Sequence, residues 1–208
     1  MAKAVRYHKQ GGPEVLQYED VAVGDPAQGQ VRIRHKAIGV NFVDTYQRSG
    51  LYPMQLPQVG GNEGAGVVEA VGAGVTDLKV GDRICYTGLP GSYCEQRLVP
   101  ADRMVKLPQG ITEEQAASML LKGLTVHYLI FSTYAVKKGD TVLWHAGAGG
   151  VGLIACQWLK ALGVTTIATA GSAEKLALAK AHGADHLINY ATENFVEKVK
   201  AITGGKGV

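Results

Sequence analysis

The spacing of apolar residues changes character near residue 120. Before it, β-branched or alternating residues fall in short runs at 2–8, 30–40, 64–71, 83–87 and 93–99. These runs are bounded by turns such as Gly11-Gly12-Pro13 and Gly24-Asp25-Pro26. Period-two runs between Gly and Pro predict strands, here arranged as an irregular β-barrel-like domain. After it, helix and strand patterns alternate. Thr112-Glu113-Glu114-Gln115 has the form of a capping box and predicts a helix to about residue 131. A buried strand over 141–145, a helix to about 162, a strand over 164–170, a helix over 173–182 and an apolar run over 186–189 follow. That alternation predicts a parallel sheet built from βαβ units. The chain is therefore read as two domains, 1–120 and 121–208.

The turn between the first strand and helix of the second domain carries the main chemical signal. Residues 139–160 read GDTVLWHAGAGGVGLIACQWLK, which places Gly147, Gly149 and Gly152 in a G-x-G-x-x-G spacing that opens a helix. In a dinucleotide site the first glycine allows the tight turn, the second lets backbone approach the pyrophosphate, and the third lets helix and strand pack closely. The anion then meets the unpaired N–H groups and positive dipole end of the helix, at Gly150 and Val151. A chain with 28 glycines produces such spacings by chance, so the strand before the turn and the βαβ unit around it are what select dinucleotide binding over a plain glycine turn.

The end of the following strand bears on which dinucleotide binds. An NAD site ordinarily places an acid there to hold the ribose 2′-hydroxyl. The sequence instead reads Ala170-Gly171-Ser172-Ala173-Glu174-Lys175. Ser172 offers a hydrogen bond to a 2′-phosphate and Lys175 offers charge, although a helix N-cap and a solvated lysine account for the same two residues. With the acid missing from its usual place, the set favours NADPH over NADH. Glu174, within reach of a ribose, is the observation on the other side.

Composition narrows the class. The chain is 46% hydrophobic and 19% charged, with no apolar run approaching the roughly 18 residues of a membrane span. No signal segment is visible at the start, and three cysteines without CxxC spacing suit a reducing, cytoplasmic setting. A formal charge of +3 from 21 basic and 18 acidic residues, interspersed, together with 7% aromatics, gives neither a basic stripe nor a stacking platform for nucleic acid.

Several segments together resemble the zinc-free medium-chain dehydrogenase/reductases, and among them the zeta-crystallin-like quinone oxidoreductases. They are residues 8–14 (HKQGGPE), 39–46 (GVNFVDTY), 49–53 (SGLYP), 61–66 (GNEGAG) and 139–160, where Gln157 and Lys160 match as well as the glycines. The resemblance spans the whole chain. It implies an α/β protein with a GroES-like irregular β-barrel domain at 1–120, followed by the first half of a Rossmann doubly wound parallel sheet at 121–208. It further implies NADPH as cofactor, a small-molecule quinone as acceptor, and a homodimer for a full-length member. Asn41, Tyr46 and Tyr52 are implied as the residues beside the nicotinamide, with Asn41 donating an amide hydrogen bond. Thr125 and Tyr128 are implied near its phosphate side, and Gly171, Ser172, Lys175 and Tyr190 around the adenosine phosphate.

Zinc enzymes of the wider family hold the metal through Cys and His. Here Asn41 and Asn62 stand in those regions and no cysteine cluster exists, so no metal is expected. His35, Asp44 and Glu63 lack ligand spacing and are read as either buried hydrogen-bonding groups or polar surface residues. His127 is read as a packing residue of its helix. A quinone accepts electrons without a metal, so positioning and hydrogen-bond donors suffice for catalysis. Two other functions stay open: a zinc-free enoyl or alkenal reductase, and a non-catalytic crystallin-like or RNA-binding role. A doubly wound domain needs two βαβαβ halves, so the reading also expects a truncated second half and slow quinone turnover by residues 1–208 alone.

Overall fold

Alternation of side chains across each strand decides which faces meet in the first half of the protein. The computed structural model describes residues 1–208 and separates them into two compact units, Met1–Leu121 and Lys122–Val208. In unit 1, β1 (Ala2–Tyr7), β2 (Gln17–Val21), β3 (Gln30–Gly39), a short helix α1 (Phe42–Ser49), β4 (Gln58–Val59), β5 (Glu63–Val71), β6 (Arg83–Thr87), β7 (Gln96–Pro100) and β8 (Val105–Lys106) follow in order. They form two antiparallel sheets, β2-β1-β4 and β7-β3-β5-β6-β8, with a bridge between Ala4 and Cys94. On β3, Val31 and Ile33 point inward with Val68, Ile84, Tyr86 and Val99, while Arg32 and Arg34 pair with Glu69 outside. Fully burying each such aliphatic side chain contributes about 2 kcal/mol.

The other face of β5 and β6 packs Ala65 and Cys85 against Ala116 and Ala117 of helix α2 (Glu113–His127). The predicted cap of this helix is present. Thr112 Oγ1 accepts the Gln115 N–H at 3.2 Å and Gln115 Oε1 accepts the Thr112 N–H at 2.9 Å.

Unit 2 contains β9 (Thr141–Trp144), α3 (Gly150–Ala161), β10 (Thr165–Ala170), α4 (Ala173–Ala181), β11 (His186–Asn189) and α5 (Phe195–Ile202). The three strands are parallel in the order β11-β10-β9, so each successive strand adds on the same side. Central β10 is buried along almost its whole length, as a strand covered by helices on both faces must be. Ala155 and Leu159 of α3 pack with Val126 and Ile130, and Cys156 and Ala168 pack with Ala179 of α4.

Most expected boundaries hold to within one residue, and the larger shifts have local causes. The strand expected over 93–99 begins only at Gln96, because the Gly91 and Tyr93 N–H groups are drawn to Gly61 O and Gly60 O and hold the preceding segment in an irregular bend. The strand expected from 64 begins at Glu63, which pairs with Gly39 and Thr87. The helix expected to run to 131 is α-helical only to His127. A π-helical turn, Tyr128–Thr133, continues it, and the Tyr134 N–H reaches back five residues to Leu129 O. No helix is long and apolar enough to cross a membrane.

Candidate functional site

The turn after β9 is shaped by space as much as by backbone freedom. Gly147 is not in the left-handed region; that conformation falls on Ala146, with φ 53°. A residue with a Cβ pays a steric penalty of about 1 kcal/mol there. Gly147 nevertheless lies inside the turn expected there, which spans residues 145–148. A Cβ at Gly147 would lie 2.6 Å from the Ala168 Cβ, so this glycine exists to seat the loop on β10, where its N–H also donates to Thr169 O at 2.9 Å. At Gly152 a Cβ would overlap Ala146 O and come within 2.6 Å of Gly147 O. The first turn of α3 thus rests directly on the loop carbonyls.

Gly149 is the N-cap of α3, extended and exposed. The first i→i−4 bond of α3 runs from the Leu153 N–H to Gly149 O at 2.9 Å, so the N–H groups of Gly150, Val151 and Gly152 have no acceptor within the helix. A Cβ at Gly150 would meet Lys122 Cε at 2.8 Å, so the Lys122 stem lies against the helix start. Sequence reasoning missed Lys122; its only signal was a cation three residues before Thr125. Thr125 is half-buried and Tyr128 exposed, three residues apart on neighbouring turns.

The end of β10 gathers the other expected contacts. Ser172 caps α4, its Oγ accepting the Lys175 N–H at 3.3 Å, which leaves the hydroxyl proton available to donate. The Lys175 side chain is exposed and forms no ion pair. Glu174 lies in the first turn of α4, where the helix dipole favours an acid. Tyr190 lies over Gly171: a Cβ there would stand 2.9 Å from the Tyr190 hydroxyl and 3.1 Å from its ring.

In unit 1, helix α1 organises the other group. Asn41 is its N-cap and is buried; its Nδ2 donates to Glu63 Oε2 at 2.7 Å and its N–H donates to Asp44 Oδ2 at 2.9 Å. Part of the donor capacity expected to serve a ligand is thus used within the unit. Tyr46 and Tyr52 come together with ring centroids 5.4 Å apart, and the Tyr52 N–H donates to Tyr46 O at 3.1 Å. Phe42 packs edge-on against Tyr46 at 5.2 Å and is 74% exposed. It extends the aromatic surface and was missed, since the i, i+4 relation appears only once the helix is known.

Each side chain weighed as a metal ligand has internal partners. Asp44 accepts the Tyr93 hydroxyl at 2.6 Å and Asn62 Nδ2 at 2.7 Å, and burial together with that carboxylate pushes the Tyr93 phenol up. His35 lies between Cys94 O and the Tyr86 hydroxyl, each at 2.7 Å, and burial lowers its pKa to about 4. No three His, Cys, Asp or Glu residues cluster to hold a metal ion. The cysteines are buried, and burial raises Cys94 to about 11. His127 stacks at 5.0 Å on Phe131 and 6.0 Å on Trp158.

Known proteins share this arrangement. Residues 27–109 match the alcohol dehydrogenase GroES-like domain, and residues 150–208 match the zinc-binding dehydrogenase family. A quinone oxidoreductase of Pseudomonas aeruginosa is 53% identical over 99% of this chain and 64% of its own length. A 2-haloacrylate reductase of a Burkholderia species is 48% identical over all of this chain and 65% of its own. The crystal structure of Escherichia coli quinone oxidoreductase complexed with NADPH superimposes with a TM-score of 0.96 at 50% identity, covering 99% of this chain and 64% of that one. The chain thus spans about two-thirds or slightly less of these relatives, with the GroES-like and Rossmann architecture they share. It belongs to the medium-chain dehydrogenase/reductase family.

Proposed function

We propose that this protein is an NADPH-dependent reductase that acts on quinones without zinc. The observation that carries the cofactor choice is the end of β10, where Tyr190 lies over Gly171, Ser172 and the unpaired Lys175 follow, and position 171 holds no acid. A 2′-phosphate satisfies a donor hydroxyl and an ammonium, whereas a bare 2′-hydroxyl leaves Lys175 without a partner. The fit of the rest of the cofactor rests on the α3 N-terminus and on the space that Gly147 and Gly152 leave beside it. NADPH supplies a hydride when bound. The chain's own residues bind and orient: the α3 N–H groups hold the pyrophosphate, and Phe42, Tyr46 and Tyr52 offer faces to a flat acceptor. In this reading the tyrosine hydroxyls and the remaining donor capacity of the Asn41 amide stabilise negative charge on an acceptor oxygen. Neutral amides at Asn41 and Asn62, tied to Glu63 and Asp44, support the zinc-free reading.

A second acceptor class has a specific observation in its favour, the 48% identity to a 2-haloacrylate reductase. Its substrate places an electron-poor carbon–carbon double bond next to a carboxylate, and the one cation of α1, Arg48, is already engaged, its Nε donating to Gly11 O at 3.2 Å. Quinone is therefore the preferred acceptor. Initial rates of NADPH oxidation with a benzoquinone and with 2-chloroacrylate test the choice, and a higher rate with the chloroacrylate overturns it. Substitution of Lys175 by alanine weakens NADPH binding about tenfold, as expected for losing one exposed charge-assisted contact, and leaves NADH binding unchanged. Equal loss for both cofactors in calorimetric titrations refutes the 2′-phosphate assignment.

A further inference from the structure

Glu63 is a fully buried carboxylate, 0% exposed, that no step above requires. It opens β5 between Gly39 of β3 and Thr87 of β6 and, by strand alternation, lies on the same face as Ala65, where α2 packs through Ala116 and Ala117. Burying a carboxylate costs several kcal/mol unless its oxygens are satisfied. Both are: Oε1 accepts the Leu121 N–H at 2.7 Å and Oε2 accepts Asn41 Nδ2 at 2.7 Å.

The surroundings are built to admit this carboxylate. A Cβ at Gly39 would overlap both Glu63 Oε2 and the carbonyl oxygen of Ala117. That carbonyl is the residue i−4 position for the Leu121 N–H, so Glu63 reaches α2 at the very turn the missing side chain of residue 39 leaves open. The backbone side of Asn41 is held separately, its N–H on Asp44. The asparagine is thereby fixed at two points, by Asp44 through the main chain and by Glu63 through the amide. An Asn amide alone can turn over and exchange its donor and acceptor ends; opposite a carboxylate that only accepts, its nitrogen must face Glu63.

We infer that Glu63 is a positioning residue for the reductase reaction, setting which way the Asn41 amide points and tying it to α2. The inference rests on the reading of Asn41 as a group beside the reacting acceptor. Glutamine at 63 keeps the volume but replaces one acceptor oxygen with a donor nitrogen, so it cannot accept from both Asn41 and Leu121.

Two measurements on the 208-residue chain test this. In ¹H–¹⁵N spectra, one Asn41 side-chain amide proton is expected downfield and slow to exchange, and in Glu63→Gln that signature is lost while the remaining spectrum stays dispersed. An Asn41 amide indistinguishable between the two proteins overturns the inference. Turnover supplies the second measurement, through Asn41→Ala, Glu63→Gln and the double variant. Glu63→Gln lowers kcat about tenfold, the effect of one misdirected hydrogen-bond donor, with NADPH binding within about twofold. In the Asn41→Ala background it costs nothing further, because the group it acts through is gone. A Glu63→Gln loss that persists undiminished in that background shows a merely structural role and refutes the inference alone. Full turnover by Asn41→Ala refutes the reading of the site and the inference with it.

Discussion

Valine at Gly152 lowers NADPH affinity about a hundredfold and destabilises unit 2 by about 3 kcal/mol, at the upper end of what overpacking costs. The cause is backbone, not side chain. A Cβ at 152 meets Ala146 O and Gly147 O, and neither carbonyl can swing away as a lysine tip would. Ala146 is already held in the left-handed region and Gly147 is pinned to Thr169 O, so relief comes only by lifting the first turn of α3 off the loop. That lift moves the N–H groups proposed to hold the pyrophosphate. Gly149→Ala is the matched control, because its Cβ finds only Ala146 O at 3.2 Å, and it changes affinity severalfold less. Thermal melting and NADPH titration of the two variants check the contrast; equal behaviour of the two would show that close packing at 152 does not shape the cradle.

What the sequence conveyed about this region, and what it withheld, follows from the kind of information spacing carries. The strand–turn–helix–strand pattern was legible because buried β10 and the amphipathic helices repeat at their own periods over enough residues to stand out. The parallel sheet came from the same alternation, and the doubly wound class from the family resemblance. Backbone angles do not show in spacing, so the left-handed residue of the turn, Ala146, could not be picked out from the glycines around it. Helix α1 went unread for a different reason. Its inward face is polar, with Asp44 bonded to Asn62 and Tyr93, while Phe42 lies exposed, which inverts the pattern that marks a surface helix. Without the helix, Phe42 could not be joined to Tyr46, nor Asn41 recognised as its cap. Two-residue strands such as β4 and β8 are too short to carry any period. Glu63 and His35 could not be told from surface polar residues, because their partners lie dozens of residues away in sequence and only the fold brings them together.

Acid weakens unit 1 through His35, and the expected loss is about 3 kcal/mol between pH ~6.5 and ~4. The imidazole is caught between Cys94 O and the Tyr86 hydroxyl, with the Arg97 guanidinium 3.4 Å from that hydroxyl and the Cys94 thiol 3.9 Å from Nδ1. Nδ1–H donates to the carbonyl and Nε2 accepts the phenol proton, a pattern that uses the neutral ring. Burial, and to a lesser degree Arg97, opposes protonation; the bond to Cys94 O favours it only in part, and the folded pKa falls to about 4 from 6.5. Below pH ~6.5 the unfolded chain therefore binds a proton that the folded chain refuses, and stability drops as pH falls until the folded ring also titrates. The contribution is complete above pH ~6.5 and gone below ~4. Gly64 offers no relief, since its missing Cβ is the space the ring occupies, 2.8 Å from His35 Cδ2. Urea unfolding of unit 1 followed by tyrosine absorbance measures the slope. Glutamine at 35 keeps a donor and an acceptor but cannot charge, so it flattens the slope in this window even where it lowers stability at neutral pH. A His35→Gln profile parallel to that of the parent would place the acid sensitivity on the paired carboxylates instead.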